Sequence, residues 1–186
     1  MHRKRRTVAI LGVDGSGKST AIGNLSNVYQ DNCTVTYMGN TRFEDKRIEE
    51  FKKRRHCRPI VVYLKWRCFW TRYNNAIKKG TLAIFDRYVH EIFINDNKGF
   101  YGKLNVILYK FIFPRPSKIV YLYCSGEDSL RRKHDITKPE EFLKMKRRFD
   151  AYFIGKKGVL SLNSSLLSPE EITNNISDFI DKSFKK

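Results

Sequence analysis

The residues Gly12-Val13-Asp14-Gly15-Ser16-Gly17-Lys18-Ser19-Thr20 fit the pattern G-x-x-x-x-G-K-[ST], which suits the holding of a polyphosphate. Gly15 and Gly17 allow backbone conformations that L-residues resist, turning N–H groups inward around phosphate oxygens. A helix starting near Lys18 would add the partial positive charge of its N-terminus to the same anion. Lys18 has the reach for β- and γ-phosphates, and the Ser19 hydroxyl suits Mg²⁺. On this reading Gly12, Asp14, Gly15, Ser16, Gly17, Lys18, Ser19 and Thr20 contact Mg-ATP.

A second group follows an apolar run. Thr81-Leu82-Ala83-Ile84-Phe85 ends in the carboxylate of Asp86. In open parallel sheets ligands bind at the carboxyl ends of strands, which brings Asp86 close to the glycine-rich loop. There it can hold Mg²⁺ through water or orient an acceptor, or simply pair with its neighbour. Arg87 comes next, and its planar fork suits a phosphate or carboxylate.

The elements that must position these groups are short β-rich runs alternating with longer helical segments. That alternation predicts an α/β fold, a five-stranded parallel sheet with helices on both faces. The predicted strands are residues 7–11, 34–38, 81–85, 118–124 and 158–163. Ser168-Pro169-Glu170-Glu171 joins an N-cap serine, a first-turn proline and a capping-box glutamate, predicting a closing helix over 169–184. Thr137-x-Pro139-Glu140 opens a helix to about Phe153 in the same manner, and Ser125-x-x-Asp128 a short one through Arg132. Over residues 59–79, Trp66, Phe69, Trp70 and Tyr73 recur at helical spacing. That stripe is a core face or else the wall of an acceptor pocket.

Composition sets the bounds. The chain has 186 residues, 41% of them apolar, and reads as one domain over 7–186 behind a basic segment, 1–6. No apolar run reaches the ~18 residues a membrane span requires. The cysteines Cys33, Cys57, Cys68 and Cys124 lack C-x-x-C spacing, so a reducing cytoplasm is the expected setting. The net charge of +18, concentrated over residues 42–79, draws anionic partners or solvates a basic face. Nucleic acid is not the expected partner, while peripheral contact with an anionic membrane is compatible with this charge.

Past the glycine-rich loop the chain resembles the thymidylate kinase branch of the nucleoside monophosphate kinases. Gly80 before the strand and Asp86-Arg87-Tyr88 after it are similar to that family's signature. Pro114-Arg115-Pro116-Ser117-Lys118 resembles its strand entry, and Glu127 with Leu130-Arg131-Arg132 its helix leading to a lid. Arg147-Arg148-Phe149-Asp150-Ala151-Tyr152 resembles the family's R-x-x-Y after that lid. The likeness covers residues 7–25 and 79–180. It implies a P-loop kinase that moves the γ-phosphate of ATP to a small acceptor, with positioning and cations as the main catalytic devices. It further implies that Lys18 cradles phosphates, that Ser19 and Asp86 attend the metal, and that Arg87 clamps an anionic acceptor which Asp14 faces. Residues 131–139 become a lid from which Arg131, Arg132 or Lys133 supplies catalytic charge. A homodimer through residues 104–113 is implied as well.

Two departures bear on the acceptor. Val89-His90-Glu91 stands where the family carries a serine and then a Tyr-Gln pair. The helix that faces thymine in the family has Arg67 or Arg72 as stand-ins for its arginine. A thymidylate-kinase-like group associated with surface polysaccharide synthesis is similar in Val13–Thr20 and in the basic lid Arg132-Lys133-His134-Asp135-Ile136-Thr137-Lys138-Pro139-Glu140. That likeness implies a sugar or glycolipid acceptor faced by His90, Glu91 and Asp96. The expected activity is phosphorylation of a (deoxy)nucleoside monophosphate such as dTMP. The alternatives are a sugar or glycolipid kinase, and a nucleotide-regulated module that binds nucleic acid or membrane.

Overall fold

The computed structural model describes residues 6–40, 43–78, 81–95, 99–133 and 136–184. Five parallel strands form one sheet in the order β2-β3-β1-β4-β5. They are β1 (Thr7–Leu11), β2 (Cys33–Tyr37), β3 (Leu82–Asp86), β4 (Lys118–Tyr123) and β5 (Val159–Asn163). The predicted strands are all present, shifted by one residue at several ends. Every residue of β1 is buried, as expected of a central strand covered on both faces.

Strand alternation divides the core. Val8, Ile10, Ile84, Val120 and Leu162 face one way, against Leu25 of α1 (Lys18–Tyr29) and Ile176 of α8 (Pro169–Phe184). Ala9, Leu11, Phe85 and Tyr121 face the other way. There they meet Phe69 and Tyr73 of α3 (Arg58–Lys78) and Phe149 and Phe153 of α7 (Pro139–Phe153). The aromatic stripe on α3 is therefore mainly core: Phe69 and Tyr73 are buried, while Trp66 and Trp70 stack at 5.3 Å on its partly covered flank.

Three helices were not marked by the sequence. Helix α2 (Arg47–Lys52) rests on α3 through a satellite cluster of Ile48, Val61, Leu64 and Cys68. Helix α4 (His90–Asn95) follows β3, and α5 (Gly99–Ile107) continues into a widened π-helical turn, Leu108–Ile112. Among the described residues no helix is long and apolar enough to cross a membrane.

Helix starts behave as their caps dictate, with one correction. At α8 the Ser168 hydroxyl accepts from the Glu171 N–H at 3.2 Å, and the Glu171 carboxylate accepts from the Ser168 N–H at 2.8 Å. In α6 (Gly126–Arg132) the Ser125 hydroxyl accepts from the Asp128 N–H at 3.0 Å. At α7, however, the cap position falls on Lys138 and no side chain caps it, so Thr137 does not act as expected. Pro139 starts that helix alone, its missing N–H being one the first turn would leave unpaired anyway. Ser168→Ala should cost about 1 kcal/mol. Thermal unfolding would read this as a fall of about 2–4 °C in Tm.

Candidate active site

The sheet reverses its strand order around β1, and the crevice outside that point is where an open α/β sheet takes ligands. The glycine-rich loop leaves β1 there and enters α1 at Lys18. A Cβ on Gly12 would lie 2.3 Å from the Leu122 carbonyl oxygen and 2.4 Å from Ser16 Oγ. Gly15 has φ of 77°, and a Cβ on it would meet the Ser129 carbonyl oxygen at 2.7 Å. Both positions thus exclude side chains, through neighbouring backbone that cannot yield. Behind the loop the Cys124 and Ser129 side chains meet at 2.9 Å.

Lys18 is buried and donates from Nζ to the Val13 carbonyl at 2.6 Å. Burial, reinforced by the nearby Arg87 charge, lowers its pKa to about 8 against the pull of Asp14, Asp86 and Glu91. A covered ammonium bonded to a neutral carbonyl, beside helix N–H groups that have no carbonyl within their own helix, fits a polyphosphate. Ser19 and Thr20 are exposed at the start of α1.

Asp86 ends β3 opposite Ile10 of β1, partly buried at the crevice. The Arg87 N–H continues the ladder to the Ile10 carbonyl at 3.0 Å, but its φ of 63° is left-handed, costing roughly 1–2 kcal/mol. The turn carries the guanidinium across the crevice. One nitrogen donates to Asp14 Oδ1 at 2.5 Å and another to Glu91 Oε1 at 2.6 Å. Asp14 and Arg87, expected to face an acceptor separately, are therefore joined to each other. The fork satisfies itself within the chain, and burial, which alone would lower the Arg87 pKa, is outweighed by Glu91 and Asp14, which hold it further up.

Arg67 and Arg72 of α3 have different surroundings. Largely buried, Arg72 donates to Glu44 at 2.9 Å, lies 5.3 Å over the Phe43 ring and approaches the Gly39 carbonyl. Gly39 in turn packs on the Tyr37 phenol and the Arg87 stem. Lys65 Nζ donates to Asn40 Oδ1 at 3.1 Å on the same edge. Arg67 instead is half-exposed beside Asp45.

Arg131 and Arg132, at the end of α6, have different partners. Arg131 is exposed and pairs with Asp128 at 2.8 Å. Arg132 turns to the loop, donating to the Gly15 carbonyl at 3.3 Å and to the Ser164 hydroxyl and carbonyl at 3.1 and 3.0 Å. His134 and Asp135 of the expected lid lie outside the described residues, as do Asp96, Gly80 and residues 1–5 of the basic N-terminal segment. A cavity of about 390 Å³ opens beside the loop, lined by Gly17, Thr20, Arg132, Ser164, Ser165 and Ile172. Sequence reading missed Ser164, although the rule that marked Asp86, a polar residue just past a strand's carboxyl end, applies to it after β5.

His90 is not at this site. Its ring packs 5.8 Å from Tyr88 and 5.7 Å from Phe153. Burial lowers its pKa to about 4, helped by Lys156 and Arg115, which leaves no poised base at neutral pH. The folded state binds the proton less well than the unfolded chain between pH 6.5 and 4. Stability should therefore be lost as pH falls through that window, by up to about 3 kcal/mol. Denaturant titrations across it should show a flatter profile in His90→Gln.

No family model matches the chain, and no curated protein matches its sequence. Solved structures do match its fold. Thymidylate kinase from Candida albicans superposes with a TM-score of 0.69 at 17% identity, over 96% of this chain and 92% of that one. Deoxyadenosine kinase from M. mycoides with bound dATP gives 0.63 at 15% identity, over 94% and 99%. The same enzyme with bound dCTP gives 0.62 at 16%, over 95% and 99%. The chain has the fold of the thymidylate kinase-like nucleoside monophosphate kinases.

Proposed function

We propose that the protein transfers the γ-phosphate of ATP to a (deoxy)nucleoside monophosphate, with dTMP the first acceptor to test. The observation that carries this is the junction of loop and strand: Asp14 and Arg87 bonded at 2.5 Å, with Lys18 buried behind them and Arg132 closing from α6. Three cations on three elements converge where a phosphoryl group would pass, and such transfer is promoted by positioning and charge. Bound Mg²⁺ would neutralise phosphate charge, held with help from the Ser19 hydroxyl and the Asp86 carboxylate. Lys18 binds phosphate oxygens, and Arg132 covers the nucleotide from the side of the 390 Å³ cavity. An acceptor phosphate competes with Asp14 and Glu91 for the Arg87 fork. Arg72 and Lys65 line the far edge, and their charge favours an acceptor that is already anionic.

A second acceptor class has support from the fold comparison. Deoxyadenosine kinase is among the structural neighbours, so unphosphorylated deoxynucleosides belong beside the monophosphates. Purified protein with Mg-ATP would be tested against dTMP, other monophosphates, deoxynucleosides, sugars and sugar phosphates. Product mass and ADP release are the readouts, with Lys18→Ala as blank. Phosphorylation of a monophosphate supports the proposal. A product only from deoxynucleosides moves the acceptor to that class, and one only from sugars overturns the nucleotide reading.

A further inference from the structure

Gly15 permits the loop its left-handed turn, with φ of 77°, but a residue without a Cβ does not by itself hold the conformation it permits. The peptide between Gly15 and Ser16 is held from outside the loop. Its carbonyl oxygen has two lone pairs, and two side chains donate to it: Arg132 at 3.3 Å and the Cys124 thiol at 3.7 Å. At the other end of the same peptide, the Ser16 N–H donates to the Val13 carbonyl at 3.2 Å. That Val13 oxygen also takes the Lys18 ammonium, at 2.6 Å.

The two donors to Gly15 differ in kind. Arg132 is exposed, and in the function proposed above it covers the nucleotide. Cys124, the residue after β4, is only 2% exposed, and Ser129 of α6, whose hydroxyl meets the sulfur at 2.9 Å, is fully buried. A thiol packs as a small apolar group and still donates weakly, which suits so covered a position. It has one proton. With that proton directed at Gly15, the Ser129 hydroxyl must donate to the sulfur. One chain of hydrogen bonds then runs from Ser129 through Cys124, the Gly15–Ser16 peptide and the Val13 carbonyl to Lys18. Covered as they are, Cys124 and Ser129 act on a ligand only through the loop.

We infer that Cys124 and Ser129 are positioning residues for the phosphate-binding loop: they fix the Gly15–Ser16 peptide, and through the Val13 carbonyl the Lys18 ammonium, in place for a polyphosphate. This role presupposes the reading of the loop as the ATP site. Rotation of the peptide would take its N–H from Val13 and swing its carbonyl dipole away from the side that repels no anion. Buried hydrogen bonds in series polarise one another, so loss of the first donor is felt at the last.

The test is calorimetric binding of Mg-ATP and of Mg-tripolyphosphate to the full chain, set beside thermal unfolding. Cys124→Val is close in size and removes the donor. It should weaken both ligands roughly three- to tenfold with little change in Tm. Cys124→Ser restores a donor and should recover part of that affinity, yet unfold earlier than Cys124→Val because it buries a hydroxyl. Packing alone predicts Cys124→Val ahead in both readouts. Ser129→Ala should weaken binding less than Cys124→Val. The double variant Cys124→Val/Ser129→Ala should bind no worse than Cys124→Val, since the serine acts through the sulfur. The assignment is overturned if Cys124→Val binds both ligands like the parent, if Cys124→Ser binds worse than Cys124→Val, or if the losses add in the double variant. A loss for ATP that tripolyphosphate does not share would also overturn it, by placing the effect on the nucleoside. These outcomes leave the ATP-site reading standing. A parent that binds neither ligand would bring down that reading and the positioning role together.

Discussion

Lys18→Ala should lower turnover with every acceptor by at least about 10²–10³-fold, because it removes a buried cation from the point where loop, α1 and Arg87 meet. Its pH signature sets this apart from a folding defect. The free amine titrates near pH 8, since burial opposes its charge; bound phosphate favours the charged form. Between the free and bound pKa values, ATP binding must then take up a proton. Affinity should fall about tenfold per pH unit above 8. Calorimetry in buffers of different ionisation enthalpy should detect that uptake in the parent and none in Lys18→Ala. An ATP affinity indifferent to pH from 7 to about 9.5 would remove Lys18 from the phosphate site. The same burial predicts a stability effect of opposite sign. Below pH 8 the covered ammonium destabilises the free protein, so Lys18→Met should be more stable at pH 7 by up to about 3 kcal/mol. The difference should close as pH rises toward 10.5.

Arg87→Ala should damage both turnover and fold. Glu91 has a side chain only 12% exposed, and without Arg87 its carboxylate is left nearly buried and unpaired. Unfolding should become easier by about 2–4 kcal/mol. Turnover should fall by at least about 10²-fold, since Asp14 loses its fixed partner. Two further variants separate the effects. Arg87→Ala/Glu91→Ala should recover stability without activity. Arg87→Lys keeps the charge and loses the fork that spans Asp14 and Glu91, so it should fold well and still turn over poorly. Activity of Arg87→Lys near that of the parent would show that charge alone suffices there.

What could be read from sequence was what is written locally. The loop carries its geometry in the spacing of Gly12, Gly15, Gly17 and Lys18, because turn, helix start and ammonium lie within one short run. The strands were legible because β1 and β3 are covered on both sides and are therefore apolar without a break over Val8–Leu11 and Leu82–Phe85. The cap at Ser168 was legible because both partners are three residues apart. Helix α2 was hidden for the opposite reason: Arg-Ile-Glu-Glu-Phe-Lys offers only Ile48 and Phe51 as apolar contacts, too few for a period. That Arg132, and not Arg131, reaches the loop side depends on Ser164, the residue just past β5. The pairing of Asp14 with Arg87 needs the left-handed turn at Arg87, and no residue type announces that. That Arg72, and not Arg67, lies against Tyr37 and Gly39 depends on the rotation of α3, a tertiary fact.

The position of β1 has a consequence for how the molecule comes into being. The first strand of the chain is the middle strand of the sheet, and both of its partners come late: Thr7 pairs with Ala83 and Val8 with Lys118. A nascent chain emerging from the ribosome would therefore hold the apolar run Val8–Leu11 without a neighbour until β3 has been made, and with one open edge until β4 follows. Distant pairings of this kind slow folding, because the loop must close before any contact rewards it. Truncated chains ending before β4 should accordingly aggregate rather than fold, and the full chain should refold slowly for its size.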